Sequence, residues 1–186
     1  MLVTIPIDIQ KGIDEYAATV AGHSNPAFDA NVTRLFAAAR AAGHPILHIK
    51  HNSTEPGSLL RPEAPGNAFK AEARPRPGEP VIEKSVNSAF IGTGLEQQLH
   101  QMGADHLVVF GMTTEHCVST TVRMAANLGF RTTLVGDATA AFPATTLDGE
   151  TIDAVTHHKV HLAALHDEFA NVIDTDMAVS LMAGGG

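Results

Sequence analysis

His106-Leu-Val-Val-Phe110, then Gly111-Met-Thr-Thr-Glu-His-Cys117, then Val118 to Leu128 read as strand, turn and helix in direct succession. The first stretch is short and apolar, the pattern of a strand buried on both faces. The last has apolar residues at helical spacing and stops at Gly129. The turn between them holds the only cysteine of the chain. Cys117 is therefore expected at the carboxyl end of a strand and near a helix N-terminus. Unpaired N–H groups and a positive partial charge gather there, and both can lower a thiol pKa. The same position also suits a small buried hydrophobe.

Outward from this unit, strands and helices alternate. Leu2–Asp8 reads as a first strand, with Pro6 suited to an edge or a strand end. Phe28–Ala42 reads as a helix, Pro45–Lys50 as a second strand and Val81–Lys84 as a third. Gly94–Met102 is a helix, Arg131–Gly136 a fifth strand, Asp148–His166 a helix, Phe169–Ile173 a sixth strand and Asp176–Met182 a closing helix. Ala183–Gly186 reads as a frayed end. Residues 51–80 are rich in proline, glycine and charge, a long loop of the kind that often carries function. The alternation predicts one α/β domain over 1–186, a six-stranded parallel sheet with helices on both faces. In such sheets ligands bind beyond the carboxyl ends of the strands. Asp8, Lys84 and Cys117 fall on that rim.

Composition narrows the partners. The net charge of −8 leaves no basic excess to neutralise phosphates, so nucleic acid is not expected. The first residues lack a basic segment and a long apolar run, so neither a signal peptide nor a membrane anchor is expected. A lone cysteine fits a reducing, cytoplasmic setting.

A thiolate attacking a carbonyl needs a base or cation, an acid for the leaving group, and donors for the oxyanion. With Cys117 as the nucleophile, Lys84 and Asp8 supply the first two, and backbone N–H groups of Thr113 and Cys117 the third. Three segments carry a resemblance: Ile7-Asp8-Ile9-Gln10; Glu83-Lys84-Ser85 with Ser88-Ala-Phe90; and Gly111-Met-Thr-Thr-Glu-His-Cys117-Val118. In order and separation they resemble the signature segments of the isochorismatase-like cysteine hydrolases, and Val135-Gly-Asp137-Ala is similar to the family's fifth-strand end. The resemblance covers nearly the whole chain. It implies an Asp8–Lys84–Cys117 triad, a cis peptide between Met112 and Thr113, a small-molecule substrate and a homo-oligomer.

Nicotinamidases of that family carry an Asp-x-His segment that binds a metal. Here the stretch is His48-Ile-Lys-His51-Asn-Ser, so a pocket without metal or cofactor is expected. Cys117 favours hydrolysis of an amide, ureido or related C–N bond through a thioester. The alternatives are enol-ether hydrolysis with Asp8 as acid, and a binding module with a degenerate site. Gln10, His51, Phe90 and Thr114 are candidate substrate contacts. His116 is expected to point away from the nucleophile, because neighbours on a helix diverge. His157 and His161 are an i,i+4 pair without the glutamate of a zinc helix, and read as a solvated or interface face.

Overall fold

The computed structural model describes residues 1–20 and 22–184. Its strands are β1 (Leu2–Ile7), β2 (His48–His51), β3 (Val81–Lys84), β4 (His106–Met112), β5 (Arg131–Ala140), β6 (Ala144–Thr145), β7 (Thr151–Ile152) and β8 (Asn171–Ile173). The helices are α1 (Lys11–Ala17), α2 (Phe28–Ala41), α3 (Leu95–Gln101), α4 (Ser119–Asn127), α5 (Ala154–Leu165) and α6 (Thr175–Ala183). Six strands form one sheet in the order β3-β2-β1-β4-β5-β8, every neighbour parallel. The short β6–β7 pair is antiparallel and separate.

Alternation along β4 sorts the two cores. Leu107 and Val109 face one layer, with Val3, Ile5 and Ile7 of β1, Leu95 and Leu99 of α3, and Val122 and Ala125 of α4. Val108, Phe110 and Met112 face the other, with Phe28, Val32, Leu35 and Phe36 of α2 and Ala178 and Met182 of α6. Strands buried on both faces need apolar side chains in both registers, which is why β1 and β4 read as continuous apolar runs.

Several boundaries differ from expectation. β5 runs past Gly136 to Ala140, because Thr139 and Ala140 pair with Gly111 and Met112 beyond an irregularity between Val109 and Gly111. α5 begins at Ala154 rather than Asp148; the Asp153 side chain caps it by accepting from Thr156 N–H. Pro6 lies inside a central strand, not at an edge. It falls between Thr4 and Asp8, whose N–H groups donate to Pro45 and Ile49 of the neighbouring segment, so its missing donor interrupts that ladder. Helix α1 and the β6–β7 pair were not legible. Residues 51–80 hold two single helical turns, Pro65–Asn67 and Ala71–Ala73, around buried Ser53, Asn67 and Lys70. Of the expected frayed end, Ala183 closes α6, whereas Gly185 and Gly186 lie outside the described residues. Among the described residues no helix is long and apolar enough to cross a membrane.

Candidate active site

The sheet order lays the carboxyl ends of β3, β2, β1 and β4 side by side. Each end delivers one group: Lys84 closes β3, His51 closes β2, Asp8 follows β1, and Cys117 lies in the turn after β4. Local backbone sets each side chain. Asp8 adopts φ 51°, a left-handed conformation that reverses the chain as it leaves the sheet. At Gly111, φ is 128°, and a Cβ would meet the Ile7 carbonyl oxygen at 2.0 Å. Only glycine lets β4 approach β1 this closely. The Met112–Thr113 peptide is cis. Thr114–Val118 then form a π turn in which His116 and Val118 N–H both donate to the Thr113 carbonyl, bracketing Cys117.

Lys84 is the hub. Its Nζ lies 2.6 Å from Asp8 Oδ2, 3.0 Å from His51 Nδ1 and 3.2 Å from Cys117 Sγ. Three ammonium protons thus meet three acceptors. The Lys84 side chain is fully enclosed and Asp8 nearly so, while Asp8 Oδ1 has no hydrogen-bond partner among the described residues. Burial, then the Lys84 charge, holds His51 below the ordinary imidazole value, so its Nδ1 accepts from Lys84. Burial and the Asp8 charge push the Cys117 thiol up to about 12, against the opposing pull of Lys84. The expected depression of the thiol pKa is therefore reversed. A turn that encloses the sulfur beside a carboxylate outweighs the helix end and the lysine.

Asp8, His51 and Cys117 present ligand atoms within 4.8 Å of one another, the spacing of a metal site. The Lys84 ammonium is bonded to all three, a positive charge where a cation would have to sit. This donor set does not fit a metal while Lys84 is charged.

Above the cluster is a cavity of about 150 Å³ lined by Asp8, His51, Asn87, Met112, Thr113, Cys117 and others. Ile13, Leu60, Thr113 and His116 line it and also a larger cleft of about 490 Å³. His116 thus borders both spaces instead of turning away, since a π turn does not space residues as an α-helix does. Asn87, not singled out in the sequence, lies with Oδ1 3.8 Å from Cys117 Sγ.

Other expected contacts are placed elsewhere. Gln10 is fully buried; its Nε2 donates to His51 and Asn67 carbonyls and its Oε1 accepts from His51 N–H. It clamps the 51–80 loop to β2, because the reversal at Asp8 carries it away from the cavity. Phe90 stacks on Phe130 in the α3–α4 layer, 6.1 Å between centroids. Thr114 is fully buried, its Oγ1 2.9 Å from His158 Nδ1. His157, His158 and His161 are half-buried rather than a solvated face, with His157 Nδ1 2.8 Å from the Phe142 carbonyl.

Comparison with known proteins gives a consistent result. Residues 2–177 match the sequence model of the isochorismatase domain. An uncharacterised isochorismatase-family protein of Bacillus subtilis, YrdC, is 40% identical over 176 residues, covering 95% of this chain and 93% of its own. A streptothricin hydrolase of Streptomyces noursei is 34% identical over 151 residues, 80% of this chain and 54% of that protein. Proteins named ureidoacrylate amidohydrolase, from Variovorax paradoxus, and N-carbamoylsarcosine amidase, from Arthrobacter, match 59% and 54% of this chain. The crystal structure of an isochorismatase-family protein from Chromobacterium violaceum superposes with a TM-score of 0.93 at 40% identity, covering 99% of this chain and 94% of that one.

Proposed function

The chain belongs to the isochorismatase family, and on that premise we propose that it is a cysteine hydrolase opening an amide, ureido or related C–N bond through a thioester on Cys117. The observation that carries this reading is the convergence of Asp8, His51 and Cys117 on the Lys84 ammonium at the floor of a cavity. Relatives named amidase and amidohydrolase support the bond type.

With its pKa pushed up to about 12, Cys117 rests as a thiol at neutral pH. Activation must accompany attack. As Sγ bonds to the carbonyl carbon, Asp8 takes the thiol proton and Lys84 offsets the charge left on the sulfur and the carbonyl oxygen. Thr113 and Cys117 N–H groups face the oxyanion. Asp8 then protonates the nitrogen, the C–N bond breaks, and ammonia or an amine leaves an acyl-thioester. Water yields a proton to Asp8 and attacks the same carbon; collapse returns the proton to Sγ and releases the acid. His51 holds Lys84 from the third side and orients it. With one cysteine and no disulfide to maintain, we place this chemistry in a reducing, cytoplasmic compartment.

The test is a panel of small amides, ureido compounds and enol ethers, scored for released ammonia or cleavage product, with intact-mass detection of an acylated chain. Cys117→Ala is expected to lower C–N hydrolysis by at least ~10³-fold with the fold retained. Near-normal turnover in that variant would remove the thioester.

A further inference from the structure

The cleft of about 490 Å³ that joins the Cys117 cavity has a chemistry of its own. Its walls include Ile13, Leu59, Leu60 and Pro143, together with an aromatic corner. There Tyr16 meets Phe142 edge to face, 4.8 Å between ring centroids. Glu115 closes the corner: its Oε1 accepts a 3.4 Å hydrogen bond from Phe142 N–H, and its Oε2 is enclosed with no hydrogen-bond partner among the described residues. Among the described residues no lysine or arginine lines the cleft, whose basic side chains are His116 and His157, and Lys84 lies at the floor of the Cys117 cavity. In the inner cavity Asp8 is paired with Lys84, whereas among the described residues no lysine or arginine pairs with Glu115.

Aromatic faces beside a carboxylate attract an organic cation, by ring quadrupole and by direct charge. An anion would find no lysine or arginine on the cleft walls, since Lys84 lies beneath Cys117, bonded to Asp8, His51 and Cys117. Volume points the same way. The inner cavity of about 150 Å³ admits little more than the reacting carboxamide or ureido group, so the rest of the substrate must extend past Ile13, Leu60, Thr113 and His116 into the cleft. We propose that the Tyr16–Phe142–Glu115 corner is a subsite for an organic ammonium group, and that the substrate is an amide or ureido compound carried on an apolar body with a cationic end. This rests on the thioester reading above, and excludes small carboxylate-bearing substrates.

A matched series tests it: arylalkyl carboxamides ending, remote from the amide, in trimethylammonium, in its neutral isostere tert-butyl, or in carboxylate. In the wild-type protein the ammonium compound is expected to exceed tert-butyl in kcat/KM by roughly tenfold, the scale of a partly desolvated cation–π contact, with carboxylate poorest. Glu115→Gln and Phe142→Leu are each expected to shrink the ammonium to tert-butyl ratio. Equilibrium binding of the same three compounds to Cys117→Ala separates the two readings. Binding in the predicted order without turnover by wild type sinks the hydrolysis and leaves the subsite standing. Turnover of all three at equal efficiency, a preference for carboxylate, or no binding of any overturns the subsite.

Discussion

Replacing Asp8 by Asn should make Cys117 more ionised and the enzyme less active, two effects that most damage to a site would not produce together. The substitution keeps the shape of the side chain, and asparagine tolerates the left-handed backbone at φ 51°. In the native protein the thiol stands at about 12 against an ordinary 9.0, a bias of about 4 kcal/mol toward the neutral form. Burial is the largest cause and the Asp8 charge the next; Lys84 pulls the other way. Removing the carboxylate leaves Lys84, 3.2 Å from the sulfur, facing the thiolate alone. Loss of one adjacent like charge is worth roughly one to three pH units, so the thiol should titrate near 9 to 11. Turnover should meanwhile fall by about 10²- to 10⁴-fold, because nothing remains to accept the proton at the moment of attack. The chain has a single cysteine, so iodoacetamide alkylation followed by intact mass against pH reports this thiol and no other. An Asp8→Asn thiol that titrates at or above the wild-type value would refute the assignment of Asp8 as the group holding the proton on sulfur.

Lys84→Met strips the counter-charge from a buried carboxylate, and should cost about 3–5 kcal/mol in urea unfolding; adding Asp8→Asn should restore much of that stability but no activity, and a double variant as unstable as the single one contradicts the ion-pair account. Glu79 is held at about 2 by the Arg40 fork at 2.7 and 2.9 Å, with help from Arg76 N–H and His48. A depressed carboxylate stabilises the fold above its unfolded pKa and loses that contribution as pH falls toward the folded value. Between about pH 4.5 and 2, wild-type Tm should therefore drop more steeply than that of Glu79→Gln, and parallel acid profiles would count against it. Gly111→Ala forces a Cβ to within 2.0 Å of the Ile7 carbonyl oxygen, so soluble folded protein should be lost or its Tm sharply lowered; a wild-type melting curve would show that β4 and β1 can separate there.

The sheet was legible because its central strands β1 and β4 are buried on both faces and α2 and α4 each carry an apolar stripe. What the sequence hid was decided at a distance. α1 is seven residues long, and its N-cap Gln10 makes no side-chain capping bond. It exists because Gly12 packs where a Cβ on Gly66 would lie 2.8 Å from its Cα, a contact between segments far apart in sequence. The same holds for Gln10, Phe90 and Thr114. Nearness in sequence to Asp8, Lys84 and Cys117 suggested the cavity, but the reversal at Asp8, the loop after β3 and the π turn after β4 each rotate the neighbour out of it.

His51 shows most directly why a site of this kind is only half readable from one chain. Its place at the end of a short strand and the start of a long loop suggests a pocket-lining residue, but not a partner for Lys84. The role proposed for it follows from the β2–β3 register, which sets His51 opposite Lys84 on the neighbouring strand. That pairing puts a neutral ring nitrogen within 3.0 Å of the ammonium, and makes Lys84 a tripod centre rather than one half of an ion pair. A lysine held by Asp8 alone could follow the carboxylate as the proton moves; a third acceptor fixes it between carboxylate and sulfur. Preorganised charge is worth most where it does not have to move during the reaction. The fold supplies this by aligning four strand ends, and the order of those strands is information that no local stretch of the sequence contains.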